Sequence, residues 1–305
     1  MRKYPVACTV IALVTLSACG GGGDPLESGG EDTESGGEAG ELVIGSQDYY
    51  SNTVLAEIYA QVLEDQGYEV QREYEIGQRE VYVPELESGA IDIFPEYTGN
   101  LLDFVDGDSE APEADSVHAE LNSALPSGLE VLDYAEATDQ DSYVVTADFA
   151  DEHDLSTVGD LADVEEDLRI ASNAEFETRP YGIEGLAETY GVEMTLVPVE
   201  DSGGPLTLGA LLDGEVQVAN IYSADPAIEE NDLVVLEDTE TLVLPQNIVP
   251  VVSENVDDEA RSALNEVQAL LDQQTLLDIN AHSQETQGSP ADVAQWWLED
   301  QDLSD

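Results

Sequence analysis

The feature that most constrains this chain is an internal echo about 125 residues apart. Leu42-Val43-Ile44-Gly45-Ser46 is answered by Leu168-Arg169-Ile170-Ala171-Ser172, and a helical pattern stopping at Gly67 before Val70 by one stopping at Gly191 before Met194. Gly89 with an apolar run Ile91 to Phe94 and Tyr97 is answered by Gly214 with Val216 to Ala219 and Tyr222, each tyrosine eight residues after its glycine. Agreement of three elements in register implies two similar units. Within each unit short β-branched runs alternate with amphipathic stretches, which is the pattern of α/β architecture.

In the first unit the pattern predicts a strand at Leu42 to Gly45 and a helix carrying Val54, Leu55, Ile58, Tyr59, Val62 and Leu63. A strand near Glu69 to Tyr74, a helix from Arg79 to Ser88 ended by Gly89, and a buried strand from Ile91 to Phe94 follow. Tyr97 and Tyr222 then fall just past the carboxyl ends of strands, where open α/β sheets place ligands. Predicted helices near Asp257 to Gln273 and Pro290 to Glu299 have no sheet of their own and are expected to complete the first unit. The chain then crosses between lobes twice, as hinge-closing binding proteins do. The expected lobes are 41–142 with 248–305, and 143–247.

The first nineteen residues read as an export signal, with Arg2 and Lys3 before an apolar run from Val6 to Leu16 that is too short to span a bilayer. Leu16-Ser17-Ala18-Cys19 suits a lipoprotein-type peptidase, making Cys19 the expected lipid attachment site and the outer face of the membrane the expected location. Residues 20–41, almost wholly glycine, acidic and small residues, read as a flexible tether. Cys8 and Cys19 are the only cysteines, so a chain starting at Cys19 has no internal disulfide and relies on packing.

Acidic residues number 69 against 7 basic, a formal charge of −62. Beyond Cys19 there are five arginines and no lysine. Spread along the whole chain, this charge fits a solvated surface adapted to high salt, as in a halophilic archaeon, where screening removes most self-repulsion. It argues against nucleic acid as a partner, because phosphate binding needs basic patches.

Several segments together resemble the glycine betaine, carnitine and choline binding proteins of osmoprotectant ABC importers. They are Ile44-Gly45-Ser46-Gln47-Asp48-Tyr49, Glu57-Ile58-Tyr59-Ala60-Gln61, Ile91 through Pro95-Glu96-Tyr97-Thr98-Gly99, and Gly214-Glu215-Val216 through Ile221-Tyr222-Ser223-Ala224-Asp225. The resemblance runs from Leu42 to Leu303. It implies a two-lobed periplasmic-binding-protein-like fold of type II, with a small quaternary-ammonium solute in the interlobe cleft, membrane permease subunits and a separate ATPase. It implies no enzyme activity, cofactor or metal. A trimethylammonium group offers no ordinary hydrogen bonds, so aromatic faces hold it best.

The resemblance assigns Tyr97, Tyr143 and Tyr222 to an aromatic cage. It assigns Arg179 to the solute's carboxylate, which a guanidinium grips with two parallel bonds. Gln47 and Asn100 become further polar contacts, and Asp141 contributes through its backbone or through attraction for the cation. Where the family has a fourth cage tyrosine, this chain has Gln246, which implies a more polar wall; Tyr181 or Tyr49 is a substitute ring, although Tyr49 is expected to pack beneath its loop. That departure leaves room for a different small polar solute.

Two other function classes compete. A surface hydrolase has to use carboxylates, because His118, His153 and His282 are scattered and no phosphate loop, serine elbow or metal-spaced histidine pair occurs. With so many acidic residues, nothing selects one carboxylate pair. A calcium-binding surface protein calls for an Asp-x-Asp-x-Asp-Gly loop, which is absent.

Overall fold

The computed structural model describes residues 40–106, 111, 113–301 and 303. The expected signal, Cys19 and nearly all of the tether lie outside the described residues. Ten strands form two five-stranded sheets. The first contains β1 (Glu41–Gly45), β2 (Glu69–Glu73), β3 (Ile93–Tyr97), β4 (Leu129–Val131) and β10 (Ile248–Ser253), in the order β2-β1-β3-β10-β4. The second contains β5 (Asp141–Thr146), β6 (Arg169–Ser172), β7 (Thr195–Pro198), β8 (Val218–Tyr222) and β9 (Leu233–Val235), in the order β7-β6-β8-β5-β9. The two orders are equivalent, with β1, β2 and β3 answered by β6, β7 and β8. In each sheet three parallel strands meet one antiparallel strand, β10 against β3 and β5 against β8. The echo is therefore a repeat of topology as well as of sequence, and the protein is a two-lobed α/β fold.

The inner strands β3, β8 and β10 are buried on both faces, which explains their largely apolar runs, whereas the edge strands β2 and β7 are mostly exposed. Ile44, Ile93, Ile248 and Val252 form one core with helix α1 (Tyr50–Asp65) and with Leu264, Val293, Trp297 and Leu298 from the C-terminal helices Asp258–Leu270 and Pro290–Asp300. Both helices therefore pack into the core of the first sheet. Helix Gln273–Thr286, between them, carried no signal because its apolar stripe is only Leu276 and Ile279 wide. Helix α2 (Arg79–Ser88) ends on Gly89, whose φ of 73° is a left-handed cap that glycine takes without steric penalty.

Two strands differ from expectation in the same way. β3 and β8 both start two residues later than the apolar runs suggested and extend three residues further, so Tyr97 and Tyr222 are the last residues of their strands. Burial sets where an apolar run begins, whereas ladder hydrogen bonds set the strand, and these continue to Ile248↔Tyr97 and Asp141↔Tyr222.

The two crossings between lobes run side by side. Thr138 and Asn247 bridge, Asp139 N–H donates to the Gln246 carbonyl at 3.2 Å, and Ile248 N–H donates to the Ala137 carbonyl at 3.2 Å. Helix α3 (Thr98–Val105) starts beside this pair, and a Cβ on Gly99 would fall 2.7 Å from the Pro245 carbonyl oxygen. Only glycine lets α3 approach the second crossing this closely.

Candidate functional site

A small cavity opens where the strand ends of both sheets face the crossings. Its wall includes Gln47 and Tyr49 before α1, Tyr97 and Asn100 at the start of α3, Asp139 and Asp141 on the first crossing, Arg179 and Tyr181 from the second lobe, and Tyr222. Six of the eight sequence-predicted residues meet here: Gln47, Tyr97, Asn100, Asp141, Arg179 and Tyr222.

Tyr143 and Gln246 do not. Tyr143 is 1% exposed, packs edge-on against Phe176 inside the second lobe and donates its hydroxyl to the Tyr181 carbonyl at 2.6 Å. Asp141 and Tyr143, two residues apart, share a face of β5. Tyr143 is kept out of the cavity by Phe176 and Tyr181, which line its wall and against which Tyr143 packs. Gln246 is fully buried behind the wall. Its carbonyl accepts Asn100 N–H at 2.9 Å, and its amide donates to Asn100 Oδ1 at 2.7 Å. Asn100 Nδ2 in turn donates to Asp141 at 2.6 Å. The glutamine is thus no wall of a cage; it is a clamp that orients Asn100, and through it Asp141.

Tyr49 supplies the ring that Tyr143 does not. Its centroid lies 5.1 Å from that of Tyr222 and 6.3 Å from that of Tyr97, so three rings form one cluster at the end of the cavity. The expectation that Tyr49 packs beneath its loop is half right, because it is 9% exposed yet lines the cavity. Burial raises all three phenol pKa values well above their ordinary value, so the rings stay neutral. Gln47 Nε2 and the Tyr97 hydroxyl are buried without a hydrogen-bond partner among the described residues. Such groups are costly unless something outside the protein satisfies them.

Sequence reasoning missed Arg79, which is 4% exposed and lies against the same cavity. Its Nε and Nη2 clasp the two carboxylate oxygens of Glu96 at 3.0 and 2.7 Å, and Tyr82 donates its hydroxyl to the same carboxylate. Glu96 also accepts the N–H of Tyr97 at 2.9 Å. The fork-on-carboxylate geometry ties α2 to the end of β3 and fixes the backbone that carries Tyr97. The signal was present as an arginine before an apolar stripe in a chain almost without cations. Arg179, by contrast, reaches across to α2, where its Nη1 and Nη2 meet Glu80 at 2.9 and 3.1 Å.

With both arginines matched by carboxylates, Asp139 and Asp141 are the acids of the cavity wall without a salt bridge among the described residues, and burial makes both hold their protons to higher pH. Burial pushes Asp139 up to about 7 against the bond it accepts from Ala224 N–H at 3.1 Å, with Asp225 and Asp141 adding repulsion. Burial also raises Asp141, opposed by the bond from Asn100. For Asp139 the folded state holds a proton that the unfolded chain has already lost above about pH 4, so stability falls as pH rises from there to about 7 and then levels. Thermal melts at pH 5 and pH 8 in fixed salt are expected to show a drop in the wild type that is clearly smaller in Asp139→Asn; an equal drop would place the titration elsewhere.

The family model for the substrate-binding domain of ABC-type glycine betaine transport systems matches residues 40–300. The chain belongs to this family. Members are extracytoplasmic solute-binding proteins. The chain is 26% identical over 266 residues to the glycine betaine-binding protein YehZ of Escherichia coli (strain K12), covering 80% of this chain and 85% of that one. It is 26% identical over 279 residues to a glycine-betaine-binding protein of Pseudomonas aeruginosa, covering 87% and 89%. Among solved structures, a glycine betaine/carnitine/choline ABC transporter protein superposes with a TM-score of 0.70 at 20% identity, over 88% of this chain and 100% of that one. That likeness bears on the fold and agrees with the paired sheets. Among the described residues no helix is long and apolar enough to cross a membrane, and no group of three or more His, Cys, Asp or Glu is placed to hold a metal ion.

Proposed function

We propose that the protein captures a quaternary-ammonium osmoprotectant of the glycine betaine, choline or carnitine class against Tyr49, Tyr97 and Tyr222, and presents it to a membrane permease driven by a separate ATPase. The observation that carries this reading is the three-ring cluster beside two buried carboxyl groups that form no salt bridge among the described residues. Aromatic faces attract a desolvated ammonium by ~0.5 to 2 kcal/mol each. Asp139 and Asp141 add attraction where the dielectric is low. Gln47 Nε2 and the Tyr97 hydroxyl are donors left over for a carboxylate or hydroxyl at the solute's other end.

The cavity encloses only about 20 Å³, enough for roughly one water molecule. Solute therefore enters as the lobes, 41–142 with 248–305 and 143–247, part about the two crossings, and a solute touching both lobes favours the closed state. Lipidation at Cys19 would hold the protein at the outer membrane face, and Cys19→Ser is expected to move it from the membrane fraction to the medium. Nothing in the cavity selects a reacting pair, so the reading is capture without turnover. Calorimetric titration with glycine betaine, choline and carnitine in high salt tests it: saturable binding with the solute recovered unchanged is expected, and chemical conversion of the solute, or no binding of any of the three, would sink it.

Arg179 is proposed to take the solute's carboxylate in competition with Glu80. Arg179→Ala is then expected to weaken glycine betaine about fivefold to tenfold while changing choline less than about twofold, since a charged hydrogen bond contributes roughly 1 to 1.5 kcal/mol at a half-open site. Glu80→Gln is expected to tighten glycine betaine. Equal losses for both solutes would mean that Arg179 acts only by tying the lobes together.

A further inference from the structure

Beyond the ring cluster lies a second and larger cavity of about 330 Å³. It shares Tyr49, Asp139 and Tyr222 with the first, so these residues form a partition between the two. Its other walls come from the start of α1 in the first lobe, from the loop 200–205 in the second, and from Asn280 on helix Gln273–Thr286. Besides Asp139, the lining carries Asp48, Glu200, Asp201 and Asp225, and it contains no arginine, lysine or histidine. These carboxylates accept only from neutral groups: Glu200 from Ala174 N–H at 3.1 Å, Asp225 from Ala227 N–H at 2.8 Å and Gln284 at 3.0 Å, and Asp201 from Thr207 at 2.6 Å.

Acidity alone would be a solvated surface, but two side chains in the wall point to a ligand. Ser51 Oγ and Asn280 Oδ1 are buried with no partner among the described residues, in residues that are 2% and 1% exposed. Asn280 cannot escape by flipping, because its Nδ2 donates to the Ala224 carbonyl at 2.9 Å and only an N–H can do that. The cavity therefore presents an amide oxygen, a hydroxyl and carboxylates, which are acceptors, together with the faces of tyrosine rings.

We propose that this cavity is a second cation subsite, taking an organic ammonium that bears N–H donors. A quaternary ammonium leaves Ser51 and Asn280 as unsatisfied as before, whereas a protonated primary amine bonds both and is drawn by the carboxylates. The acidic groups are not clustered to coordinate a metal ion. The subsite joins both lobes, so its occupant also favours closure. The assignment does not depend on which solute fills the first cavity.

The test is calorimetric titration of the full chain with ethanolamine at neutral pH and fixed high NaCl, with the first cavity saturated by glycine betaine. One equivalent of ethanolamine is expected to bind. Ser51→Ala combined with Glu200→Gln is expected to weaken it at least about fivefold while glycine betaine stays within about twofold, the loss of one hydrogen bond and one charge contact. Asn280→Leu serves as a second variant with the same expected loss, with circular dichroism checking that each folds. Absence of saturable heat, displacement of ethanolamine by glycine betaine, or the same second equivalent with choline or KCl would each overturn the assignment. If glycine betaine itself does not bind, ethanolamine titrated alone into wild type and variants still reads the second cavity, so the two readings fail separately.

Discussion

Arg79→Met is expected to be the most damaging single substitution near the cleft, lowering unfolding stability by about 3 to 5 kcal/mol, because it leaves Glu96 ionised in a buried site. Glu96 is 0% exposed and Arg79 4%, and the pair is joined by two charge-assisted bonds with Tyr82 closing a third. The same reasoning predicts a partial reversal. In Arg79→Met with Glu96→Gln the uncompensated charge is gone, the glutamine oxygen can accept Tyr97 N–H while its amide donates to the Tyr82 hydroxyl oxygen, and well over half of the lost stability is expected to return. Denaturant midpoints of the wild type, both single variants and the double variant in fixed salt give the coupling directly. Additive losses would mean that the pair is incidental and that burial of the arginine stem matters more.

This pair also marks the boundary of what was legible in the sequence. The fold was readable because it is written twice: the echo from Leu42 and from Leu168 marks β1 and β6, which hold equivalent places in two equivalent sheet orders. Strand ends were less readable, since Tyr97 and Tyr222 belong to their strands through ladder bonds that leave no trace in hydropathy. Residues of the cavity wall were legible where a local motif carries them, as with Gln47, Tyr97 and Asn100. Candidates were misjudged where packing depth decides. Tyr143 is on the right strand but lies behind Phe176 and Tyr181, and Gln246 is beside the cleft with its amide spent on Asn100. Arg79 was overlooked because no short motif links it to Glu96, seventeen residues away, and only the fold brings them together.

The ring cluster is where the remaining large effect is expected. Tyr97→Ala and Tyr222→Ala should each weaken a quaternary-ammonium solute at least about tenfold, the upper part of what one aromatic face contributes when desolvated. Tyr49→Ala should lose at least as much, because Tyr49 touches both other rings and without it each is free to turn. Tyr143→Phe is the control that separates two layouts of the cage. It removes the bond to the Tyr181 carbonyl and keeps the packing, so affinity is expected to stay within about twofold. If Tyr143→Phe left affinity unchanged but Tyr143→Ala lowered stability by about 3 to 5 kcal/mol, the residue would be core, as its burial inside the second lobe implies. A comparison of choline with its uncharged tert-butyl isostere adds the physical reason. The wild type should prefer the cation, and each ring deletion should shrink that preference, because what a ring gives to the ammonium and withholds from the isostere is the electrostatic attraction of its face. Ring variants that lost both solutes equally would be reporting shape alone, and the attraction would then have to come from Asp139 and Asp141. Titration separates that case, since affinity resting on Asp139 rises with pH through about 7, where its carboxyl ionises, whereas affinity resting on rings does not.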